Sequence, residues 1–141
     1  MTENKQKQIK TLLGFAVGVV VMFLMQQYLF KAPSFDKQMV QLASELNKTC
    51  PMMIDAETRW DNTVALPGNT FQYNYTLINL LKDSTDLERI EEYLNPIILN
   101  TIKTNPDLKL FRDNNVIMSY NYKDKNSIHL FKLTFSPEQY K

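Results

Sequence analysis

The sequence predicts an α+β protein: an N-terminal transmembrane helix, then an α-β-β-α-β-β domain with a four-stranded, mostly antiparallel sheet. Three observations predict it. Residues 11–30 carry no charged side chain. Apolar residues recur at helical spacing in 34–49 and again in 83–103. Between those two stretches, Thr70 to Asn79 alternates between apolar and polar residues, as a half-buried strand does.

Thr11 to Phe30 reads TLLGFAVGVVVMFLMQQYLF. A helix of that length spans about 30 Å, the depth of a bilayer's hydrocarbon core. Leu12 to Met25 is strictly apolar, and Gln26, Gln27 and Tyr28 suit the interface. Lys31 marks the exit and Pro33 stops the helix. The rival reading is a cleaved signal peptide, because Leu12–Met25 has the length of an h-region. Against it, the nearby Phe30-Lys31-Ala32 sets a bulky residue where cleavage needs a small one. No cysteine follows the run to accept a lipid. The run is also apolar all round, unlike a core helix with one apolar stripe.

Orientation follows from the flanks. Lys5, Lys7 and Lys10 precede the run with only Glu3 against them, whereas Lys31 and Lys37 follow with Asp36 between. The basic end stays in the cytoplasm. This implies a single-pass cell-membrane protein: tail 1–10 cytoplasmic, helix 11–30 in the lipid bilayer, and residues 31–141 an extracytoplasmic domain, facing the periplasm in a bacterium. Gly14 and Gly18 lie one turn apart and permit close helix packing, a route to a homodimer through the transmembrane helix. The same spacing also arises by chance in membrane helices.

In the body, Phe35, Met39, Leu42, Ala43 and Leu46 predict a helix capped by Ser34 and ended by Pro51. Met52 to Leu66 reads as one extended segment, followed by the turn signal Pro67-Gly68-Asn69. With the strand from Thr70 it makes a hairpin. Asp83 to Lys103 predicts a second helix, led by Leu87, Ile90, Leu94, Ile97, Ile98 and Ile102 on one face, which Pro96 should kink or split. A short helix over Asp107–Arg112 precedes a third strand, Val116–Lys123, and a fourth, Ile128–Phe135, whose buried face is ambiguous. Ser136-Pro137 ends the fold. Tyr73-Asn74-Tyr75 echoes Tyr120-Asn121-Tyr122, but the triplets fall on different strands of the two β-β units, so the echo is not read as a duplication.

Charge and composition exclude several classes. Four of the 16 basic residues and one of the 15 acidic ones precede the body, which is therefore slightly acidic. Such a body carries no basic patch for nucleic acid. The single cysteine, Cys50, allows no internal disulfide, and with the single histidine, His129, it supplies neither a zinc site nor an evident nucleophile pair. With three glycines, two of them in the membrane run, there is no phosphate-cradling loop. No catalytic, cofactor or metal residue is assigned.

Two surfaces are candidates for interaction. Asp55, Glu57, Arg59 and Asp61 alternate, which on a strand puts them on one face. Paired carboxylates there would suit acid–base work, and the plainer reading is a solvated face bridged by Arg59. Tyr73, Tyr75, Tyr120 and Tyr122, with Phe71 and Trp60, would form an aromatic stripe able to stack on a glycan or peptide. The plainer reading is the face beneath the helices. Asn47-Lys48-Thr49 and Asn74-Tyr75-Thr76 match the N-glycosylation pattern.

The stretches Asn47–Arg59, Phe71–Leu77 and Lys103–Lys109 resemble small bacterial membrane-anchored domains of unassigned function. The resemblance covers most of the body. It implies an envelope location and no activity. The sequence thus leads to a non-enzymatic envelope protein whose outer domain binds a protein partner, with a tethered glycan or small-ligand module and a hydrolase built on Asp55, Glu57 and Asp61 as alternatives.

Overall fold

The computed structural model describes residues 34–141. The helix expected over 11–30, with Gly14, Gly18 and the preceding tail, lies outside the described residues. Among the described residues, no helix is long and apolar enough to cross a membrane.

Helix α1 runs Phe35–Asn47 and buries Met39 and Ala43, one turn apart. The segment expected to be one extended stretch is broken in two: β1 is Met52–Met53 and β2 is Thr58–Leu66. The break is local chemistry. The Asp55 carboxylate accepts from the backbone N–H groups of Glu57 at 2.8 Å and Thr58 at 2.7 Å, which folds the chain back. β1 therefore pairs antiparallel with β2, Met52 opposite Trp60. The sheet has five strands, not the four expected.

The hairpin is as the turn signal indicates. β3 is Thr70–Leu77, antiparallel to β2. Gly68 (φ 77°) and Asn69 (φ 54°) both take the left-handed conformation in the turn. A 3₁₀ turn at Lys82–Ser84 then leads to α2, Leu87–Thr104, which is N-capped by Asp86 and continues through Pro96 as one helix. A second 3₁₀ turn, Pro106–Leu108, precedes α3, Lys109–Asp113.

The last strands are β4, Ile117–Asp124, and β5, His129–Phe135, an antiparallel pair. β4 joins the sheet parallel to β3, because α2 carries the chain back to the start of the sheet before β4 begins. The strand order is β1-β2-β3-β4-β5. The chain does not end its fold at Ser136-Pro137. It forms α4, Pro137–Tyr140, through a Ser136–Gln139 capping box. Tyr140 is buried there and donates its hydroxyl to the Val116 carbonyl at 2.7 Å.

The helices cover one face of the sheet. α1 lies on β2, while α2 lies on β5 and α4. Beneath them Phe71, Met118, Phe131, Leu133 and Phe135 form the core with Ile102 and Phe111. The ambiguity of β5 resolves in favour of Phe131, Leu133 and Phe135 facing inward, while Lys132 and Thr134 are exposed. A register shift beside Lys123 lets Leu130 be buried as well.

Candidate functional site

The echoed triplets of β3 and β4 lie side by side. Parallel pairing sets Tyr73 against Tyr120, Asn74 against Asn121 and Tyr75 against Tyr122. Identical residues then stack across the strands on both faces. On the helix side the tyrosine rings stack at centroid distances of 5.2 Å (Tyr73–Tyr120) and 5.3 Å (Tyr75–Tyr122). Tyr122 stacks further on Phe131 at 4.9 Å. Tyr120 and Tyr122 are buried, and Tyr73 and Tyr75 are half-buried. Burial disfavours the phenolate at all four, so each pKa is raised, that of Tyr122 to about 12. No hydrogen-bond partner for their hydroxyls is found among the described residues.

Several apolar side chains of the two long helices are only partly buried where they pack on the core. These are Leu42 and Leu46 on α1 and Leu87, Ile90 and Leu94 on α2.

On the opposite face the middle residues of the triplets build an amide ladder. Asn121 donates to Asn74 at 3.0 Å, and Asn74 to Asn62 at 2.7 Å. Next to it, Arg59 Nε donates to Asp61 at 2.6 Å, while Thr76 Oγ1 donates to the other Asp61 oxygen at 2.6 Å.

The acidic strip does not exist as one strand face. Asp55 and Glu57 lie in the bend before β2, and only Arg59 and Asp61 lie on it. The backbone N–H groups of Glu57 and Thr58 hold the Asp55 carboxyl below its ordinary value. Both oxygens of Asp61 are already occupied. Among the described residues, no cluster of histidine, cysteine or carboxylate side chains has metal-binding geometry. Cys50 precedes β1 and His129 opens β5, so they sit at opposite edges of the sheet, about 19 Å apart at ~4.8 Å per strand. The side-chain amides of Asn47 and Asn74 are hydrogen-bonded, to the Thr63 carbonyl and to Asn62.

Sequence reasoning passed over two residues. Asn47 at the end of α1 donates to the Thr63 carbonyl at 2.8 Å and accepts from the Thr63 N–H at 2.7 Å. It thereby closes part of the β2 edge as a neighbouring strand would. Asp124 is 1% exposed. It accepts from the backbone N–H groups of Asn126, Ile128 and Lys82 at 2.8–3.1 Å, tying the β4–β5 turn to the segment before α2. Its place between the third and fourth predicted strands signals the turn contacts; the reach to Lys82 has no signal in the sequence.

Residues 34–131 match the model of a domain of unknown function, DUF8479. The chain belongs to the DUF8479 family. No curated protein matches the sequence. Solved structures with the same fold include three bacterial proteins. A Pseudomonas aeruginosa protein described as secreted superposes with a TM-score of 0.61 at 13% identity, over 75% of this chain and 92% of that one. The type II secretion pilotin EpsS of Vibrio vulnificus gives 0.58 at 8% identity, over 75% and 91%. The corresponding pilotin AspS of Vibrio cholerae gives 0.55 at 12%, over 74% and 90%. At these identities the likeness is one of fold.

Proposed function

We propose that this DUF8479 protein is a non-enzymatic accessory subunit of the bacterial envelope. In this reading residues 11–30 tether it to the inner membrane, the tail stays in the cytoplasm, and the α+β domain outside engages a polypeptide partner. The observation that carries the reading is the fold itself. Two pilotins of type II secretion systems share it over about nine-tenths of their length. The uncharged run and its lysine flank support the tether.

The geometry supports a polypeptide partner over a glycan. Sugar recognition by aromatic stacking needs open ring faces, and here the four tyrosines occupy one another's faces beneath helices. It likewise gives little to a hydrolase on Asp55, Glu57 and Asp61, since the carboxylates are dispersed or bonded.

Crosslinking in intact membranes tests the proposal. The expected result is one heterologous envelope protein, captured reproducibly and lost when the domain is unfolded by Phe71→Asp. Recovery of the uncrosslinked chain alone from native membranes would refute it. So would its recovery as a soluble protein beginning near Ala32, which would make the run an export signal.

A further inference from the structure

The two edges of the sheet are treated differently. On one side, the β2 edge is closed by β1 at Arg59 and Trp60 and by Asn47 at Thr63. On the other, β5 is a seven-residue strand that ends the sheet, with no strand beyond it among the described residues. The register shows which backbone groups it presents. Asp124 donates its N–H to Ile128, so even-numbered β4 residues bond toward β5. Ile117 donates to Asn69, so odd-numbered ones bond toward β3. Phe135, Leu133 and Phe131 therefore pair with Met118, Tyr120 and Tyr122, and the N–H and C=O groups of Lys132 and Thr134 point away from the sheet.

Side chains along this edge carry a sign. Phe131, Leu133 and Phe135 face the helices, whereas Lys132 and Thr134 face the open side. Lys123 and His129 pair on that same open side. Among the described residues, neither Lys123 nor Lys132 has an ion-pair partner. The edge is thus apolar toward α2 and basic on the other face. A second copy in the same position would bring lysine against lysine, one of the ways proteins keep edges apart.

We infer that the β5 edge is a docking site for an extended partner segment of alternating apolar and acidic residues, which adds to the sheet as a further strand. Main-chain bonds to Lys132 and Thr134 hold it. Its apolar side chains continue the row of Phe131, Leu133 and Phe135, and its carboxylates meet Lys132 and Lys123. The inference deepens the accessory-subunit reading and rests on it for the existence of a partner.

The test uses the full chain in detergent micelles at low salt. The probes are a labelled short peptide of alternating valine and glutamate and one of alternating valine and lysine. The glutamate peptide should bind at least tenfold more tightly and protect the Lys132 and Thr134 amides from hydrogen exchange. Lys132→Glu should reverse the preference. Thr134→Pro should abolish binding with an unchanged melt, since proline is tolerated where an edge N–H faces solvent; if that variant fails to fold, Lys132→Glu carries the test. Equal binding of the two peptides, an unchanged preference in Lys132→Glu, protection confined to the α1–α2 surface, or pairing of β5 with a second copy would each overturn the inference. A photo-crosslinker at position 132 separates it from the wider proposal. A partner captured in membranes from other positions but never from 132 leaves the accessory role standing and removes the edge site.

Discussion

Asn47 shows how much one side chain can settle. Its amide supplies both the acceptor and the donor that Thr63, 1% exposed, would otherwise lack. Asn47→Ala should cost about 1–3 kcal/mol, the penalty of leaving buried polar groups unmade. Asn47→Asp, which keeps only the acceptor, should fall between, and urea melts would rank the three. Equal stability of Asn47→Ala and the parent would contradict this role. Asp124 makes a pH prediction. Burial pushes its carboxyl upward, but the N–H groups of Ile128, Lys82 and Asn126 outweigh that, and its pKa lies below 3.8. The folded pKa is depressed, so the stability it confers is full above 3.8 and disappears as pH falls through the folded value. Asp124→Asn should flatten the acid limb of a stability profile, and an unchanged limb would contradict the account. Neither long-range contact, Asn47 to Thr63 or Asp124 to Lys82, was legible in the sequence. An asparagine before lysine and threonine reads as a helix end or a glycan acceptor, and what it caps lies sixteen positions away.

At the scale of elements, α1, α2 and the β2–β3 hairpin were legible because their signals are local: the 3.6-residue period of the two helices, the alternation of β3, and Pro67-Gly68-Asn69. β1 was not, because two residues have no period and the bend depends on one carboxylate. The parallel β3–β4 pairing leaves a trace in the sequence, the echoed triplets, which by itself does not tell pairing from coincidence. Two Tyr-Asn-Tyr triplets separated by a helix are what in-register parallel neighbours look like in sequence. The tyrosine ladder they build predicts alkaline behaviour. Each folded pKa lies above the ordinary 10.0, so the folded chain keeps protons that the unfolded chain releases, and stability falls as pH rises past 10.0. Phenolate absorbance from these rings should therefore appear together with unfolding. Ionisation of all four with the fold intact would show an open aromatic surface instead. In the same core, Phe71 is fully buried against Phe111 at 4.7 Å. Phe71→Ala should cost about 3–5 kcal/mol, measured by denaturant melts, with a loss under 1 kcal/mol contradicting the packing.

The whole molecule joins a long uncharged run to a domain with a pilotin-like fold, a cross-stacked core and, among the described residues, a sheet edge at β5 that no further strand covers. Its fold class was legible because segments of helical period and segments of strand character follow one another, and amphipathic helices bury their apolar stripe on a sheet. The strand count and pairing were not, since both turn on contacts between residues far apart in the chain. The central claim is that the domain exists to hold another polypeptide. Purification of the intact chain from membranes in mild detergent tests it most directly. The account predicts that a single different protein co-purifies in fixed ratio and is lost when Phe71→Asp destroys the domain. A pure, well-folded chain that emerges by itself from native membranes would contradict it.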